Sequence, residues 1–146
     1  MYYVGGDETA TILGSDERGT PRGPNGIAVT EAVLGVVRGA CSAAEIDPTE
    51  AVAAGIGSIG PLDLAAGVVQ GPANLPDTVE RIPLVGPVSQ LLGTDKVHLH
   101  NDTVAGVIGE RFHAERNPDD MVYLTISSGI GAGVAVDGNV LSGWDG

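Results

Sequence analysis

VHLHND, at residues 97–102, is the stretch from which we predict the fold of this chain. Its apolar residues alternate with histidines as in a β-strand, which we expect to belong to a parallel sheet, and the sequence from Thr103 to about Arg116 is typical of a helix. Asn101 and Asp102 therefore lie at the carboxyl end of a strand, where open α/β sheets bind their ligands. Asp102 can accept a proton and Asn101 can hydrogen-bond a polyol, or either residue only caps the helix.

The rest of the chain alternates predicted strands and helices in the same way. Apolar residues recur at helical spacing over residues 27–44, and a short apolar strand is expected over residues 51–59. Prolines punctuate residues 72–87, where we expect only a short helix before Gly93. This order predicts an α/β fold with a mostly parallel sheet and flanking helices.

Residues 129–133, GIGAG, lie between predicted strands at 121–127 and 134–136. We expect a tight turn whose backbone amides can approach a phosphate, or a hairpin that only reverses the chain. The stretch GIGSIG, at residues 55–60, has the spacing of a dinucleotide fingerprint. Pro61 begins a turn after it instead of a helix, so we do not interpret it as a nucleotide site.

Charge and cysteine content exclude several classes of function. The chain of 146 residues has 19 acidic and seven basic residues, a net charge of −12, which argues against binding nucleic acid or an anionic membrane surface. This acidic excess resembles that of proteins adapted to molar salt. Cys41 is the only cysteine, which excludes an internal disulfide, and we expect a buried thiol. With no signal peptide or membrane span predicted, we expect a cytoplasmic protein.

Four motifs occur here in the order found in one protein family. They are IGSIGPLD at residues 56–63, NLP at 74–76, NDTVAG at 101–106 and TISSGIGAG at 125–133. From about Val52 onward the chain resembles the ROK family of sugar kinases, repressors and open reading frames. The resemblance implies the actin and hexokinase type of fold, which is ribonuclease H-like, with two lobes that close on ATP and a hexose.

The resemblance also implies an ATP- and Mg²⁺-dependent hexose kinase and a role for single residues. Asp102 matches the general base. Gly60, Asn74 and Asn101 match sugar ligands, and the second phosphate-binding turn corresponds to Ser128, Gly129 and Gly131. Such kinases are commonly dimers or tetramers, so a homo-oligomer is expected.

The chain also departs from the family pattern. The first phosphate turn of the family has no counterpart near residues 4–8, and no cysteines for the family's structural zinc cluster are present. We therefore expect an incomplete fold, with residues 1–117 as the sugar-facing lobe and 118–146 as the opening hairpin of the nucleotide lobe. We expect no kinase activity from these 146 residues alone. The alternatives are a sugar-responsive transcriptional repressor and a non-catalytic sugar-binding protein.

Overall fold

Three α-helices and three small sheets form the part of the chain that the structure describes. The computed structural model describes residues 11–127 and 129–141. In chain order the elements are α1 (Gly26–Ala43), β1 (Ala54–Ser58), β2 (Leu62–Asp63), β3 (Val68–Gln70), β4 (Arg81–Pro83), α2 (Val85–Leu92), β5 (Val97–Asn101), α3 (Asp102–His113), β6 (Met121–Ile126), β7 (Ile130–Val136) and β8 (Asn139–Val140).

Strands β1 and β5 form the parallel pair that the sequence predicts. Ala54 lies beside Val97 and Ser58 beside Asn101. Val97 and Leu99 are buried, and their side chains point to the face of the pair that packs on α1 and α2. The apolar alternation of VHLHND is therefore explained by burial of one face of β5.

Helix α1 forms much of this core. The Asn25 side chain caps it by accepting a hydrogen bond from the Ala28 amide, and the observed bounds agree with the predicted residues 27–44. Leu34, Val37 and Cys41 pack against α2 and β5. By length and mean hydropathy, 1.3 over 18 residues, α1 is comparable to a membrane-spanning helix, but its apolar stripe packs inside this fold.

Residues 72–87, where we expected only a short helix, also contain strand β4, which completes a three-stranded antiparallel sheet with β2 and β3 and corrects the prediction. Its strands have only two or three residues, separated by Gly67 and Gly71 with positive φ. Such short strands leave no period that a sequence pattern can reveal. Pro83 fits because β4 is an edge strand. The helix predicted before Gly93 is confirmed as α2, which ends there in a left-handed residue.

Helix α3 covers the opposite face of the β1–β5 pair. A Cβ on Gly57 would lie 3.2 Å from the Ala105 Cβ, so the absence of a side chain allows close packing. The helix begins one residue before the predicted start and ends at His113, three residues before the predicted Arg116. Its other side packs against β6 and β7.

The hairpin β6–β7 differs from the prediction at its glycines. Gly131 and Gly133 lie inside β7, which begins four residues earlier than predicted, at Ile130. A Cβ on Gly133 would clash with the Thr103 carbonyl oxygen, so these glycines allow β7 to pack closely on α3. A tight turn at residues 137–138 joins β7 and β8.

Among the described residues, β1–β5 is the one parallel pairing, and the other strand pairs are antiparallel. The parallel share of the sheet is thus smaller than we expected, because short turns or, between β3 and β4, the loop of residues 71–80 join the remaining strands without a crossover helix. The lobe boundary between residues 117 and 118 stays a prediction.

One face of the β6–β7 hairpin is apolar and exposed, and we call it the outer face. Tyr123, on the inner side, packs on Gly106 of α3. The outer face alternates with it and consists of Val122, Leu124, Ile126, Ile130, Ala132, Val134 and Val136. Leu124 is 62% exposed and Ile130 is 81% exposed.

Candidate functional site

The junction of β5 and α3 holds the Asn101–Asp102 pair. Asn101 is the N-cap of α3, and its Oδ1 accepts hydrogen bonds from the Thr103 amide at 3.0 Å and the Thr103 hydroxyl at 2.7 Å. Asp102 occupies the first turn and is exposed, and within residues 11–127 and 129–141 its carboxylate has no hydrogen-bond partner. Asn101 therefore caps the helix, and the Asp102 carboxylate remains accessible to a ligand.

A cleft of about 670 Å³ lies beside this junction. It brings Gly60, Asn101 and Asp102 together with Gly129 and Gly131 across the cleft. Gly60 is close to the pair, because a Cβ there would be 3.4 Å from the Asn101 Nδ2. Three separate sequence motifs thus converge on one cavity.

Asn74 lies outside the large cleft, in the loop between β3 and β4. It lines a second cavity of about 330 Å³, whose wall also includes Asp102. Two further polar residues, Thr20 and Ser58, line this cavity and were missed by the sequence analysis. The pairing of Ser58 with Asn101 is a signal that a strand-register argument can find, whereas Thr20 lies in a segment without periodicity.

Gly129, in the turn between β6 and β7, and Gly131, inside β7, have different surroundings. A Cβ on Gly129 would meet nothing within 4 Å, so its backbone is open to a bound group. A Cβ on Gly131 would lie 2.6 Å from the Thr103 Cγ2, so Gly131 is also required for packing. Ser127 closes the turn by donating its amide hydrogen to the Gly129 carbonyl at 2.8 Å. The predicted phosphate ligand Ser128 lies outside the described residues.

Comparison with known proteins decides the family. The chain matches the model described as "ROK family" over residues 4–146. The chain belongs to the ROK family.

Two curated relatives of this ROK chain are glucokinases. The glucokinase of Pyrobaculum calidifontis is 44% identical over 97 residues, which are 64% of this chain and 30% of the relative. The glucokinase of Thermotoga maritima is 43% identical over 101 residues, 68% of this chain and 31% of the relative. The ROK chain therefore spans about a third of the length of these relatives.

Solved structures confirm the expected actin and hexokinase type of fold. The ROK hexokinase from Thermus thermophilus gives a TM-score of 0.74 at 32% identity, over 96% of this chain and 44% of that one. A ROK family glucokinase from Streptomyces griseus, in complex with glucose and AMPPNP, gives 0.72 at 26% identity, over 96% and 41%. The ROK chain described here is an α/β segment of that fold.

The remaining candidates of the ROK chain lie away from the cleft. Cys41 is buried in the core as expected, and desolvation raises the pKa of its thiol above the usual value. No helix begins at the third glycine of GIGSIG, which agrees with rejecting it as a dinucleotide site. In the described part of the chain, no group of three His, Cys, Asp or Glu side chains is placed to hold a metal ion.

Proposed function

We propose that the protein containing these residues transfers the γ-phosphoryl group of ATP to a hydroxyl of a hexose, with Asp102 as the general base. The observation that supports this is the position of the Asp102 carboxylate. It has no partner among the described residues, and it lies between the cavity lined by Asn74 and the cleft lined by the Gly129 turn. The Asp102 carboxylate is therefore adjacent both to the proposed sugar site and to the proposed phosphate site.

In the proposed reaction, Asp102 accepts the proton of the attacking sugar hydroxyl while that oxygen bonds to the γ-phosphorus, and ADP leaves with the bridging oxygen. A sugar hydroxyl is a poor nucleophile without such a base. Asn101, Asn74 and the backbone of Gly60 hold the sugar. Phosphoryl transfer otherwise requires positioning and charge neutralisation, which amides of the Gly129–Gly131 turn provide, with Ser128 as a further donor.

Mg²⁺ fits this site as an ion carried by the nucleotide. The described residues offer the cleft one carboxylate, Asp102, and no three-ligand cage. Mg²⁺ commonly binds through phosphate oxygens and water with few protein ligands, and it would neutralise phosphate charge.

The substrate class is supported by the relatives. Curated relatives that are 33–44% identical are named glucokinase, and the Streptomyces griseus structure contains glucose and an ATP analogue. We therefore propose glucose or a related hexose and ATP. A cytoplasmic location and a homo-oligomer are part of the same proposal, and light scattering of the purified protein tests the second.

The test is Asp102→Asn in the intact protein. This change keeps the shape of the side chain and removes its basicity, so kcat should fall by about 10²–10⁴ while sugar affinity changes little. Asn101→Ala is the matched control, and it should raise the KM for the sugar first. A kcat within a few-fold of wild type for Asp102→Asn would leave Asp102 without a catalytic role.

A regulator is the alternative that one observation favours. A ROK family transcriptional regulator, a homologue of the E. coli MLC protein, gives a TM-score of 0.67 at 25% identity, over 84% of this chain and 30% of that one. Sequence-specific DNA binding by the intact protein, without sugar phosphorylation, would favour the regulator. Sugar binding without turnover or DNA binding would favour a non-catalytic sugar-binding protein.

A further inference from the structure

Thr103 connects the two sides of the cleft. It is 7% exposed, and its hydroxyl lies 2.7 Å from the Asn101 Oδ1 and 3.1 Å from the carbonyl oxygen of Ala132 on β7. Asn101 faces the proposed sugar site, whereas β7 begins at the proposed phosphate turn. Through one buried side chain, the two halves of the site are therefore in direct contact.

The Thr103 hydroxyl has a single proton for these two acceptors. An O–H group donates one hydrogen bond, so the Asn101 Oδ1 and the Ala132 carbonyl compete for it. The Oδ1 already accepts from the Thr103 amide at 3.0 Å, which together with the hydroxyl occupies both of its lone pairs. A sugar hydroxyl that donates to this oxygen has to displace the Thr103 hydroxyl, which then donates fully to Ala132.

Thr103 packs so closely on β7 that a change in its hydrogen bonding also affects the position of the strand. The Thr103 Cγ2 lies against Gly131, and its carbonyl oxygen lies against Gly133, so close that neither glycine has room for a Cβ. A stronger bond from Thr103 to Ala132 therefore acts on the strand that carries the phosphate turn.

We propose that Thr103 is a positioning residue that couples sugar binding to nucleotide binding, by sharing its one proton between Asn101 and Ala132. The inference rests on the proposed sugar and ATP sites. Occupation of the sugar site releases the hydroxyl to β7, and the stronger hydrogen bond to Ala132 holds the start of β7 in place beside the nucleotide, so each ligand should tighten binding of the other.

The experiment is a titration of the intact protein with D-glucose, with and without saturating AMPPNP and Mg²⁺. For wild type we expect the nucleotide to lower the Kd of glucose about fivefold, the effect of about one neutral hydrogen bond. Thr103→Val is isosteric and lacks the hydroxyl, so the ratio of the two Kd values should fall to near one. Thr103→Ser retains the hydroxyl and should restore the coupling.

Thr30 offers a matched control. It is 4% exposed, and its hydroxyl is also shared between two carbonyl oxygens, those of Pro83 at 2.7 Å and Gly26 at 3.2 Å, but it lies outside the cleft. Thr30→Val should lower the melting temperature and keep the coupling. If Thr103→Val does not fold, Thr103→Ala is measured in its place.

Three results would overturn the inference. They are a wild-type protein without coupling, a hydroxyl-free Thr103 variant whose coupling stays within twofold of wild type, and a Thr103→Ser variant that behaves like Thr103→Val. If wild type binds neither glucose nor AMPPNP, the proposed function fails with it. If wild type phosphorylates glucose and only the coupling result is negative, the proposed function stands.

Discussion

The β1–β5 pair and the β6–β7 hairpin both pack one face against helix α3, but they differ in what covers their other face. The β1–β5 pair packs on α1 and α2, so that Leu99 is only 6% exposed. The outer face of β6–β7 has no covering element among the described residues, and Leu124 is 62% exposed. Two strand pairs of similar apolar character are thus enclosed to different degrees.

The difference is also visible in the pattern of side chains on the two faces of the hairpin. An antiparallel sheet that faces water usually alternates apolar and polar side chains. The outer face of β6–β7 is apolar at every position, while its inner face packs on α3. Its composition is therefore that of a sheet buried on both faces.

The largest expected effect tests the enclosed pair. Leu99→Ala should lower the free energy of unfolding by about 2–5 kcal/mol, because it leaves a cavity in the core. Leu124→Ala is the matched change on the outer face, and in the 146-residue chain it should change the free energy of unfolding by no more than about 0.5 kcal/mol. Urea titrations of both variants give the two values.

The same two variants can also be measured in the intact protein, where the free energy of unfolding reports whether the outer face is covered. A loss above about 2 kcal/mol for Leu124→Ala there would show that the outer face is covered in that form. Equal losses for both variants in the 146-residue chain would contradict the difference in burial.

A second prediction concerns the contact of β7 with α3. Gly133→Ala brings a Cβ against the Thr103 carbonyl oxygen, so the strand or the helix has to shift, at a cost of about 1–3 kcal/mol. Gly129→Ala is the control, since a Cβ there meets nothing within 4 Å. Thermal unfolding followed by circular dichroism measures both. Equal melting temperatures for the two variants would mean that β7 does not pack as closely as described.

The smallest effect applies to both regions together. With a net charge of −12, the folded chain repels itself in dilute buffer, and salt screens this repulsion. Raising KCl from millimolar to molar should raise the melting temperature by several degrees, equivalent to about 1–2 kcal/mol for a domain of this size. A melting temperature that is unchanged over the series would contradict adaptation to high salt.

The sequence predicts the parts of the fold whose patterns are long enough to have a period. VHLHND and the 18 residues of α1 are such parts, and the structure confirms a strand and a helix there. The sheet β2–β3–β4 could not be predicted, because strands of two or three residues are too short to show a repeated alternation of inward and outward residues. Its pairing is stabilised by distant core contacts, such as those of Val69 and Ile82.

The candidate site shows the same division. Gly60, Asn101, Asp102 and Gly129 were found because they stand in motifs, and they meet around one cleft. Thr103 belongs to one of these motifs, but the sequence gives it no role. That role depends on a neighbour 29 positions away, Ala132, and only the packed structure brings the two together.

Arg111, in the last turn of α3, connects the helix to residues that precede and follow the hairpin. Its guanidinium donates hydrogen bonds to the carbonyl oxygens of Pro118 at 2.6 Å and Gly138 at 2.8 Å, and it pairs with Asp119 at 3.3 Å. Thr103 joins the opposite end of the same helix to β7. The hairpin is thus bonded to α3 at both ends of the helix, so a displacement of the hairpin has to move α3 and the Asp102 that it carries in the same direction.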